Sequence, residues 1–596
     1  MIQLFLDGKS VALFTDTDIG ITALNPYFNA IEAFSFPFTI PYKPNEQILK
    51  YANRIQGTIN TTSFIWKAVL IVDSVVILRG DAVADGDFQD GAFPITLRSS
   101  NTSFIIQSQT LELQQMDFGT DPEMDDVSLK AMRTATLAGS YPANNYVCAP
   151  FYNTGAWSRT EVKFILDKYI NNFNLDTQLI DDAVYVTGNG SISPNTWVAI
   201  TYSFYVRYIL KRIIELMGYT LGSDDMETIP DLNRWFLLSF NRIVNGINGV
   251  IYKGSFPLTL VSEFFKALRS FGIAVIIDET MQTVSIKLVR DLLATSTISK
   301  ILNGCALNDI LEMSMPTDGY TLTYNGSGDD FVIQVPVNII PIDSIADLPD
   351  PTIQYSDYSE LFYSSATQRY YMTVLQDKIV DTDADIYYWK DVGNCRPFIQ
   401  GNGEAAIELS STVAGQRLET RSVSKSYSLH GEEITISWDI GIEMPEINQK
   451  INSYYSLLGT PNVLGFIGAK YSDPPLVFLF NWGLKNFPAP TNPALFTTLP
   501  IISGDAYARD ETEMGSISMR TSGPKSIVEQ LVKPEQDWIL RRKSKRQFFR
   551  MTIGDYAQFQ WDQIQNIDSV NYFVNSLKFD ITKAGISLVE AELFTV

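Results

Sequence analysis

The chain contains one histidine, His430, which limits the hydrolytic chemistry that the sequence can support. Serine and cysteine hydrolases place a base, most often histidine, beside the nucleophile. His430 precedes Gly431-Glu432-Glu433, a composition typical of a turn. The segment Gly515-Ser516-Ile517-Ser518-Met519 resembles a nucleophile elbow, but its last position should be glycine and is methionine. We therefore predict that the chain has no catalytic triad.

Two groups of carboxylates have spacings that resemble cation sites. In the first group, Asp381, Asp383 and Asp385 match the opening of a calcium-binding loop. The sixth position of such a loop should be glycine and is Ile386, and the twelfth should be glutamate and is Val392. We therefore expect no calcium loop, although an irregular cation site stays open. The second group lies in an acidic linker that we expect to be solvated, and it consists of Asp121, Glu123, Asp125 and Asp126.

Other reactive arrangements are also poorly supported. A single histidine excludes metal sites with two imidazoles from one chain. Cys148, Cys305 and Cys395 form no Cys-x-x-Cys pair, so we expect reduced core residues and no disulfide framework. Gly326-Ser327-Gly328 is not followed by the Lys-Ser or Lys-Thr of a phosphate loop. We predict no enzymatic activity, no cofactor, and no catalytic, cofactor-binding or metal-binding residue.

The charge balance bears on possible partners. The chain has 45 basic and 67 acidic residues and a net charge of −22. A protein that grips nucleic acid through its phosphates needs a basic surface, so we expect no specific nucleic-acid binding. The acidity suits either solubility or a channel that repels DNA, and the sequence leaves both open. One dense basic cluster is either a solvated loop or a contact for a protein partner, and it consists of Arg541, Arg542, Lys543, Lys545, Arg546 and Arg550.

Length and composition indicate a large, soluble, β-rich protein. The 596 residues exceed what one core can hold, and 29 Tyr and 35 Phe favour half-buried pleated surfaces. Asp7 follows the first apolar residues at once, without a basic leader, so we expect no signal peptide. The longest apolar stretch, Ala68 to Leu78, is interrupted by Asp73 and is too short to span a membrane.

The N-terminal region reads as short antiparallel strands. Asp7-Gly8 supplies the positive φ angles of a tight hairpin turn. The segment from Pro37 to Tyr42 has prolines that suit an edge strand. Further strands are predicted in FIWKAVLIVD, VVILRGDAVADGDF, FPITLRS and SFIIQ, the last covering residues 103–107. Turn signals at this spacing favour a closed or sandwiched sheet.

Apolar periodicity predicts three helices in the middle of the chain. The first covers residues 160–174 and the second covers residues 202–219. In the second, Val206, Ile209, Leu210, Ile213 and Met217 form the buried face, whereas Arg207, Lys211 and Arg212 are predicted to be solvated. The third runs from about Leu258 to Phe271, ends at Gly272 and leads into a hairpin over residues 273–288.

The second half is predicted to be mostly β-structure. Residues 320–337 read as a hairpin, GEEITISWDIGI as a strand and PPLVFLFNWGL as a buried strand among loops. A short helix is predicted over residues 526–531, interrupted by Pro534. The chain closes with two antiparallel strands around Lys583-Ala584-Gly585.

Several of these segments, in matching order, resemble the tail-tip or baseplate-hub proteins of bacteriophages, especially phages of Bacteroidetes hosts. The N-terminal part is LNPYFNAIEAFSFPFTIP with FIWKAVLIVDSVVILRGDAV. The middle part is YVRYILKRIIELMGYTL with PLTLVSEFFKALRSFGIAVIIDETMQTVSIKLV. The C-terminal part is Trp482 to Leu484, Trp538, Tyr556 and the closing hairpin.

The resemblance implies a homotrimer whose tube-like β-domains form a ring that continues the tail tube. Its expected partners are the tail tube or distal tail protein, a central spike or fibre, and other baseplate proteins. DNA would only pass through the ring, and the chain would insert into no membrane. The implied location is the tail of the virion, after assembly in the host cytoplasm. No catalytic residues accompany the resemblance, and apart from Trp482 to Leu484 the region 301–500 is not matched by it.

We therefore predict a multidomain, β-rich α+β protein with tube-like antiparallel β-domains and smaller helix-containing modules. The alternative function is a carbohydrate-binding or carbohydrate-cleaving tail or surface protein, because two carboxylates suffice to cleave a glycosidic bond and aromatic residues suit sugars. The predicted segments are an N-terminal antiparallel β-domain (1–118), a linker with a helical module (119–225), an α+β unit (226–300), a β-rich domain (301–450) and a C-terminal mixed domain (451–596).

Overall fold

The fold is described from a computed structural model of the chain. The described residues are 1–28, 33–49, 65–84, 91–99, 101–120, 124, 126–153, 169–180, 200–239, 241–244, 252–278, 282–302, 306–312, 319–324, 338–349, 360–367, 369–376, 386–391, 398–401, 405–409, 411, 414–429, 432–447, 453–456, 464–467, 476–489, 492–521, 523 and 525–596.

The strands of the first 300 residues are β1 (Ile2–Leu6), β2 (Lys9–Val11), β3 (Ile19–Leu24), β4 (Ala33–Ser35), β5 (Phe38–Pro41), β6 (Ile65–Val72), β7 (Val75–Ala84), β8 (Ala92–Ser99), β9 (Tyr146–Val147), β10 (Phe151–Asn153), β11 (Tyr169–Ile170), β12 (Ser203–Phe204), β13 (Thr220–Asp224), β14 (Trp235–Leu237), β15 (Arg242–Val244), β16 (Ile273–Asp278), β17 (Thr283–Leu288) and β18 (Ile298–Ser299).

The later strands are β19 (Ala306–Glu312), β20 (Gly319–Tyr324), β21 (Asn338–Ile342), β22 (Glu360–Ser364), β23 (Arg369–Gln376), β24 (Ile386–Asp391), β25 (Phe398–Gly401), β26 (Ala405–Leu409), β27 (Gly415–Leu429), β28 (Glu432–Ile447), β29 (Ser453–Ser456), β30 (Leu464–Ile467), β31 (Phe478–Ala489), β32 (Asn492–Ser503), β33 (Ser544–Phe549), β34 (Ile564–Ile567), β35 (Val570–Thr582), β36 (Gly585–Ile586) and β37 (Val589–Thr595).

The α-helices of the described residues are α1 (Tyr42–Asn45), α2 (Asn101–Thr110), α3 (Asp126–Ala135), α4 (Val206–Leu216), α5 (Val261–Ser270), α6 (Val289–Leu293), α7 (Lys533–Arg541) and α8 (Ile553–Gln558). None of these helices has the length and apolar character needed to cross a membrane. Together, the strands and helices confirm the predicted fold class, a multidomain, β-rich α+β protein.

The largest sheet has 15 strands and joins the two ends of the chain. Its main path is β19-β33-β37-β35-β3-β4-β8-β7-β6-β1-β2, and β5, β18, β34 and β36 attach beside it. The junction is the antiparallel pair β3–β35, in which Ile19 lies opposite Ile581. Strands from the predicted segments 1–118 and 451–596 therefore share one sheet, and the boundaries of the five segments stay predictions.

One face of this sheet forms a single hydrophobic core. Alternate residues of each strand point into it, as expected for an antiparallel sheet with one buried face. Leu4, Leu6 and Ile21 from the N-terminal strands pack in the same core as Leu577 and Leu593 from the C-terminal strands. The two ends of the chain are therefore held together by shared apolar burial as well as by strand pairing.

The other described strands form smaller sheets. An eight-stranded sheet has the order β11-β10-β28-β27-β24-β23-β22-β21 and contains the long β27–β28 hairpin, which confirms the strand predicted in GEEITISWDIGI. The three-stranded sheets are β13-β17-β16, β14-β31-β32, β15-β29-β30 and β25-β20-β26, and β12 pairs with β9. The strand predicted in PPLVFLFNWGL is β31, and its first six residues are buried as predicted.

Several local predictions are confirmed by backbone geometry. Asp7 and Gly8 have φ angles of 48° and 76°, as the predicted hairpin turn between β1 and β2 requires. Helix α5 is followed by Gly272, the glycine predicted to end it, at φ 72°, and helix α4 is likewise followed by Gly218, at φ 85°. The hairpin after α5 is β16–β17, and the closing hairpin is β35–β37.

One predicted strand and the end of one predicted helix are wrong. The strand predicted at residues 103–107 lies in helix α2, because Phe104 stacks on Phe265 of α5 at 5.6 Å between ring centroids and tertiary packing overrides its β propensity. The helix predicted over residues 160–174 does not reach its expected end. Residues 160–168 lie outside the described part, whereas Tyr169–Ile170 is β11 and pairs with β10.

Three further predictions in the second half need correction. Pro534 does not interrupt a helix: it lies in the first turn of α7, directly after a π-helical turn at Val528–Val532, where a missing N–H is tolerated. Part of the basic cluster is not a loop but strand β33, which pairs with β19 and β37. The first strand of the hairpin predicted at residues 320–337 is β20, but both its edges pair with β25 and β26. Residues 325–337 lie outside the described part.

Candidate interaction surfaces

The described residues bring none of the candidate reactive groups together. His430, Asp381, Asp383 and Asp385 lie outside the described part, as do Asp121, Glu123 and Asp125. Ser516 donates its hydroxyl to Asp231 at 2.7 Å, so its partner is a carboxylate and not a base of a triad. Within the described ranges, no group of three or more His, Cys, Asp or Glu side chains could hold a metal ion.

A second face of the 15-stranded sheet lies opposite the core and is rich in charge. Register partners on antiparallel strands project from the same face of a sheet. Lys67 lies opposite Asp81, which lies opposite Arg98, and on the C-terminal side Lys578 lies opposite Glu590. We define the polar sheet face as Lys67, Arg79, Asp81, Arg98, Arg546, Phe548, Lys578, Asp580, Glu590 and Glu592.

Ion pairs cross neighbouring strands on the polar sheet face. The Lys67 ammonium lies 2.9 Å from the Asp81 carboxylate, and the Arg546 guanidinium lies 3.7 Å from Glu590. The face carries five basic and four acidic side chains, so the acidic excess of the chain, −22 in total, lies elsewhere. Because opposite charges alternate across the strands, this face suits contact with water or with a complementary protein surface.

Two members of the predicted basic cluster, Arg542 and Lys545, pack on aromatic side chains. The Arg542 guanidinium lies 3.8 Å from the ring centroid of Phe594 and 4.7 Å from that of Trp538. Lys545 lies 5.4 Å from the ring centroid of Tyr572. Such cation–π contacts hold these two side chains against the protein, Arg542 directly after α7 and Lys545 in β33.

Helix α4 carries a buried charge that the sequence did not predict. Arg207 was expected in solvent, but its side chain is 5% exposed and its Nε donates to Asp224 at 2.7 Å. Glu227 and Asn233 also accept hydrogen bonds from its guanidinium. Burial raises the pKa of Asp224, although its hydrogen bond with Arg207 acts in the opposite direction. The helical pattern alone could not show that Arg207 is buried, because its partners Asp224, Glu227 and Asn233 lie beyond the end of α4.

A buried ionic cluster ties β23 to the segment after β32. Arg369 and Arg520 both donate to Oδ2 of Asp505, from their Nε atoms at 2.9 Å and 3.0 Å. Arg369 also donates to Glu443 of β28 at 3.1 Å. Burial alone would raise the pKa of Asp505, but the two guanidinium groups hold it below its usual value. The cluster therefore joins the eight-stranded sheet to the β31–β32 hairpin by paired buried charge.

A groove of about 430 Å³ lies between helices α2 and α5, strand β16 and the turn at Pro26–Phe28. We call it the strand-edge groove. Its walls are mainly apolar and include Phe28, Phe104 and Phe265. No described residue that lines it is a carboxylate, so it offers no acid pair for cleavage of a glycosidic bond.

Comparisons with known proteins complete the description of the chain. No protein-family model and no curated protein matches this sequence. Among solved structures, the chain is similar to the 43 kDa tail protein of prophage MuSo2 from Shewanella oneidensis, with a TM-score of 0.31 and 8% sequence identity. The match covers 99% of this chain and 97% of that chain.

Proposed function

We propose that the chain is a structural protein of a bacteriophage tail, forming a baseplate hub or tail-tip ring at the distal end of the tail tube. Its role is to assemble, to hold a central spike or fibre, and to leave a passage for DNA during infection. The proposal includes a homotrimer, contacts with the tail tube or distal tail protein, and no enzymatic activity.

The observation that carries this proposal is the 15-stranded sheet. Strands from both chain ends build it, one face is a continuous core, and the polar sheet face stays available for contact. To close a ring, each protomer must present two different complementary surfaces to its neighbours. A rigid sheet holds such surfaces in a fixed relative position. The sequence segments that resemble tail-hub proteins follow the same order as in those proteins, which also supports this proposal. A conduit lined by the polar sheet face would be nearly neutral and would not grip DNA phosphates.

Gold labelling of phage particles tests this role. An antibody against the chain, detected with gold by electron microscopy, should mark the end of the tail away from the capsid. Particles lacking the chain should show no label and serve as the control. Absence of the chain from purified particles would overturn the proposal and would favour the carbohydrate-directed alternative, which cleavage of capsule or peptidoglycan would then test.

A further inference from the structure

One half of the eight-stranded sheet has a small hydrophobic core of its own. This half consists of β21, β22, β23 and β24, and we call it the β21–β24 unit. Its buried apolar side chains form a cluster separate from the larger cores, and they are Ile342, Phe362, Tyr371 and Trp389. Leu418 of β27 packs against this cluster from outside the unit. Most of the apolar burial of the unit is therefore internal, so it persists if the unit moves as a body.

Strand pairing joins the unit to the rest of its sheet along a short seam. In the described part of the chain, β24 pairs with β27 at three positions, from Trp389 opposite Leu418 to Asp391 opposite Gln416. At the far side of the unit, β21 is the last strand in the order of this sheet. Because the seam lies at one end of β24, it can serve as a hinge for the whole unit.

An ionic contact holds the unit against residues 505–511. Arg369, the first residue of β23, donates to Asp505 at 2.9 Å and to Glu443 of β28 at 3.1 Å. Its guanidinium also donates to the Tyr507 carbonyl. Desolvation of buried charges offsets much of their Coulomb attraction, so this contact fixes the position of the unit more than it stabilises it.

A second polar contact lies at the other strand of the same hairpin. Glu511 accepts hydrogen bonds from the Ser364 hydroxyl of β22 and from the Ile345 N–H, both at 3.1 Å. Thr367 lies in the turn between β22 and β23 and is only 1% exposed. Turns usually face solvent, and both strands that flank this one contact residues 505–511. We infer that the docked segment covers the turn.

We propose that the β21–β24 unit undocks from residues 505–511 as a folded body, hinged at its seam with β27, while the larger cores stay intact. Undocking exposes Thr367 and the carboxylates of Asp505 and Glu511, and it keeps the internal cluster of the unit buried. The fold thus contains a movable half-sheet that buried polar contacts hold in place. This inference does not depend on the proposed role in a phage tail.

Thiol labelling of the full chain under native conditions tests the proposal. Thr367→Cys places a thiol of similar size at the buried turn, where it reacts only when the turn opens. Cys148, which is 0% exposed in the largest core, reports opening of the rest of the chain. Peptide mass spectrometry assigns each labelled cysteine. Each rate is divided by the rate of the same cysteine in denaturant, which removes differences in intrinsic reactivity.

The introduced thiol should label at least about a hundredfold faster than Cys148, because partial opening costs less than global unfolding. Two further changes are made in the Thr367→Cys background. Arg369→Met should speed labelling of the introduced thiol about tenfold. The matched control is Lys485→Met, which removes a pair with Asp510 outside the unit and should leave that rate unchanged.

A change in the main core separates undocking from global unfolding. Leu210 is 1% exposed in the same core as Cys148, so Leu210→Ala should speed labelling of Cys148 at least about tenfold. The introduced thiol should label at an unchanged rate, because undocking leaves the contacts of Leu210 intact. If Leu210→Ala speeds both thiols by the same factor, or if both label equally in its absence, the unit opens only with the whole chain and the proposal is wrong.

Hydrogen exchange distinguishes undocking from local unfolding of the unit. Strand β23 lies between β22 and β24, so amides bonded to these neighbours stay protected in an undocked but folded unit. Their opening equilibrium should be at least about tenfold less favourable than that of the introduced thiol. Equal opening equilibria would show that the unit unfolds instead of undocking, and would overturn the proposal.

Discussion

The Arg369 guanidinium donates from Nε to Oδ2 of Asp505 at 2.9 Å, and both side chains are essentially inaccessible to solvent, at 0% and 1% exposure. A pair buried to this extent is weak evidence of net stabilisation, because desolvation opposes the Coulomb attraction. Removing one partner, however, should lower the free energy of unfolding, because the other charge is then left buried without its counter-ion. Arg520 shares the same carboxylate oxygen, so Asp505 is a counter-ion to two cations, and Glu443 is a second carboxylate beside Arg369.

Replacing Asp505 with asparagine should therefore destabilise the chain strongly. The Asp505→Asn variant leaves Arg369 and Arg520 buried without their shared counter-ion, at an expected cost of about 3–5 kcal/mol. The matched control is Asp510→Asn, since Asp510 pairs with Lys485 at 2.6 Å but is 39% exposed. That pair is partly exposed, with Lys485 at 18%, and should contribute less than about 1 kcal/mol. Urea unfolding of both variants measures the difference, and equal midpoints would contradict this account.

The contribution of Asp505 to the free energy of unfolding should depend on pH in a defined direction. The pKa of Asp505 is lowered in the folded chain, so its charge stabilises the fold above the unfolded pKa of about 3.9 and that contribution is lost as the pH falls through the folded pKa. The difference in unfolding free energy between wild type and Asp505→Asn should be constant near neutrality. It should shrink below a pH of about 4, and a difference that grows there would have the wrong sign.

The buried guanidinium of α4 gives a comparable prediction for the middle of the chain. Arg207→Met leaves Asp224, which is 7% exposed, without its cation and should cost about 3 kcal/mol or more. Lys211→Met on the same helix is the control, because Lys211 is 48% exposed and its change should be within about 0.5 kcal/mol. Adding Asp224→Asn to Arg207→Met should recover part of the loss. Thermal unfolding in which Arg207→Met and Lys211→Met behave alike would show that the pair does not contribute.

Two glycines that follow helices allow the energetic cost of a left-handed backbone conformation to be separated from the cost of a steric contact. Gly218 has φ 85° and open space where a Cβ would lie, so Gly218→Ala should cost only the left-handed conformation, about 1–2 kcal/mol. Gly272 has φ 72°, and a Cβ there would lie 2.7 Å from the Leu531 carbonyl oxygen. Gly272→Ala should therefore cost about 1 kcal/mol more than Gly218→Ala, because the contact forces a shift. Unfolding midpoints that rank the two variants in the opposite order would contradict the packing against Leu531.

Local signals explain why some elements were predictable. The Asp7-Gly8 turn and the glycine after α5 are set by φ angles that few other residues adopt, so they are visible in the sequence. The β16–β17 hairpin follows from alternation within a few residues. These features need no information from distant parts of the chain.

Long-range features were not predictable from the same signals. The pairing of β3 with β35 joins the chain ends, and no local pattern specifies it. Arg207 looks like a solvated helix residue until Asp224 is placed beside it. The strand-edge groove was also missed, because it forms where α2, α5 and β16 meet and none of them carries a reactive motif.

Electron microscopy of the purified chain, classified without imposed symmetry, tests the central claim most directly. A tail-hub subunit should form three-fold rings with an open centre, and label attached at an introduced Glu590→Cys should locate the polar sheet face within the ring. Monomers at all concentrations, together with no ring in the presence of isolated phage tails that lack the chain, would contradict the claim.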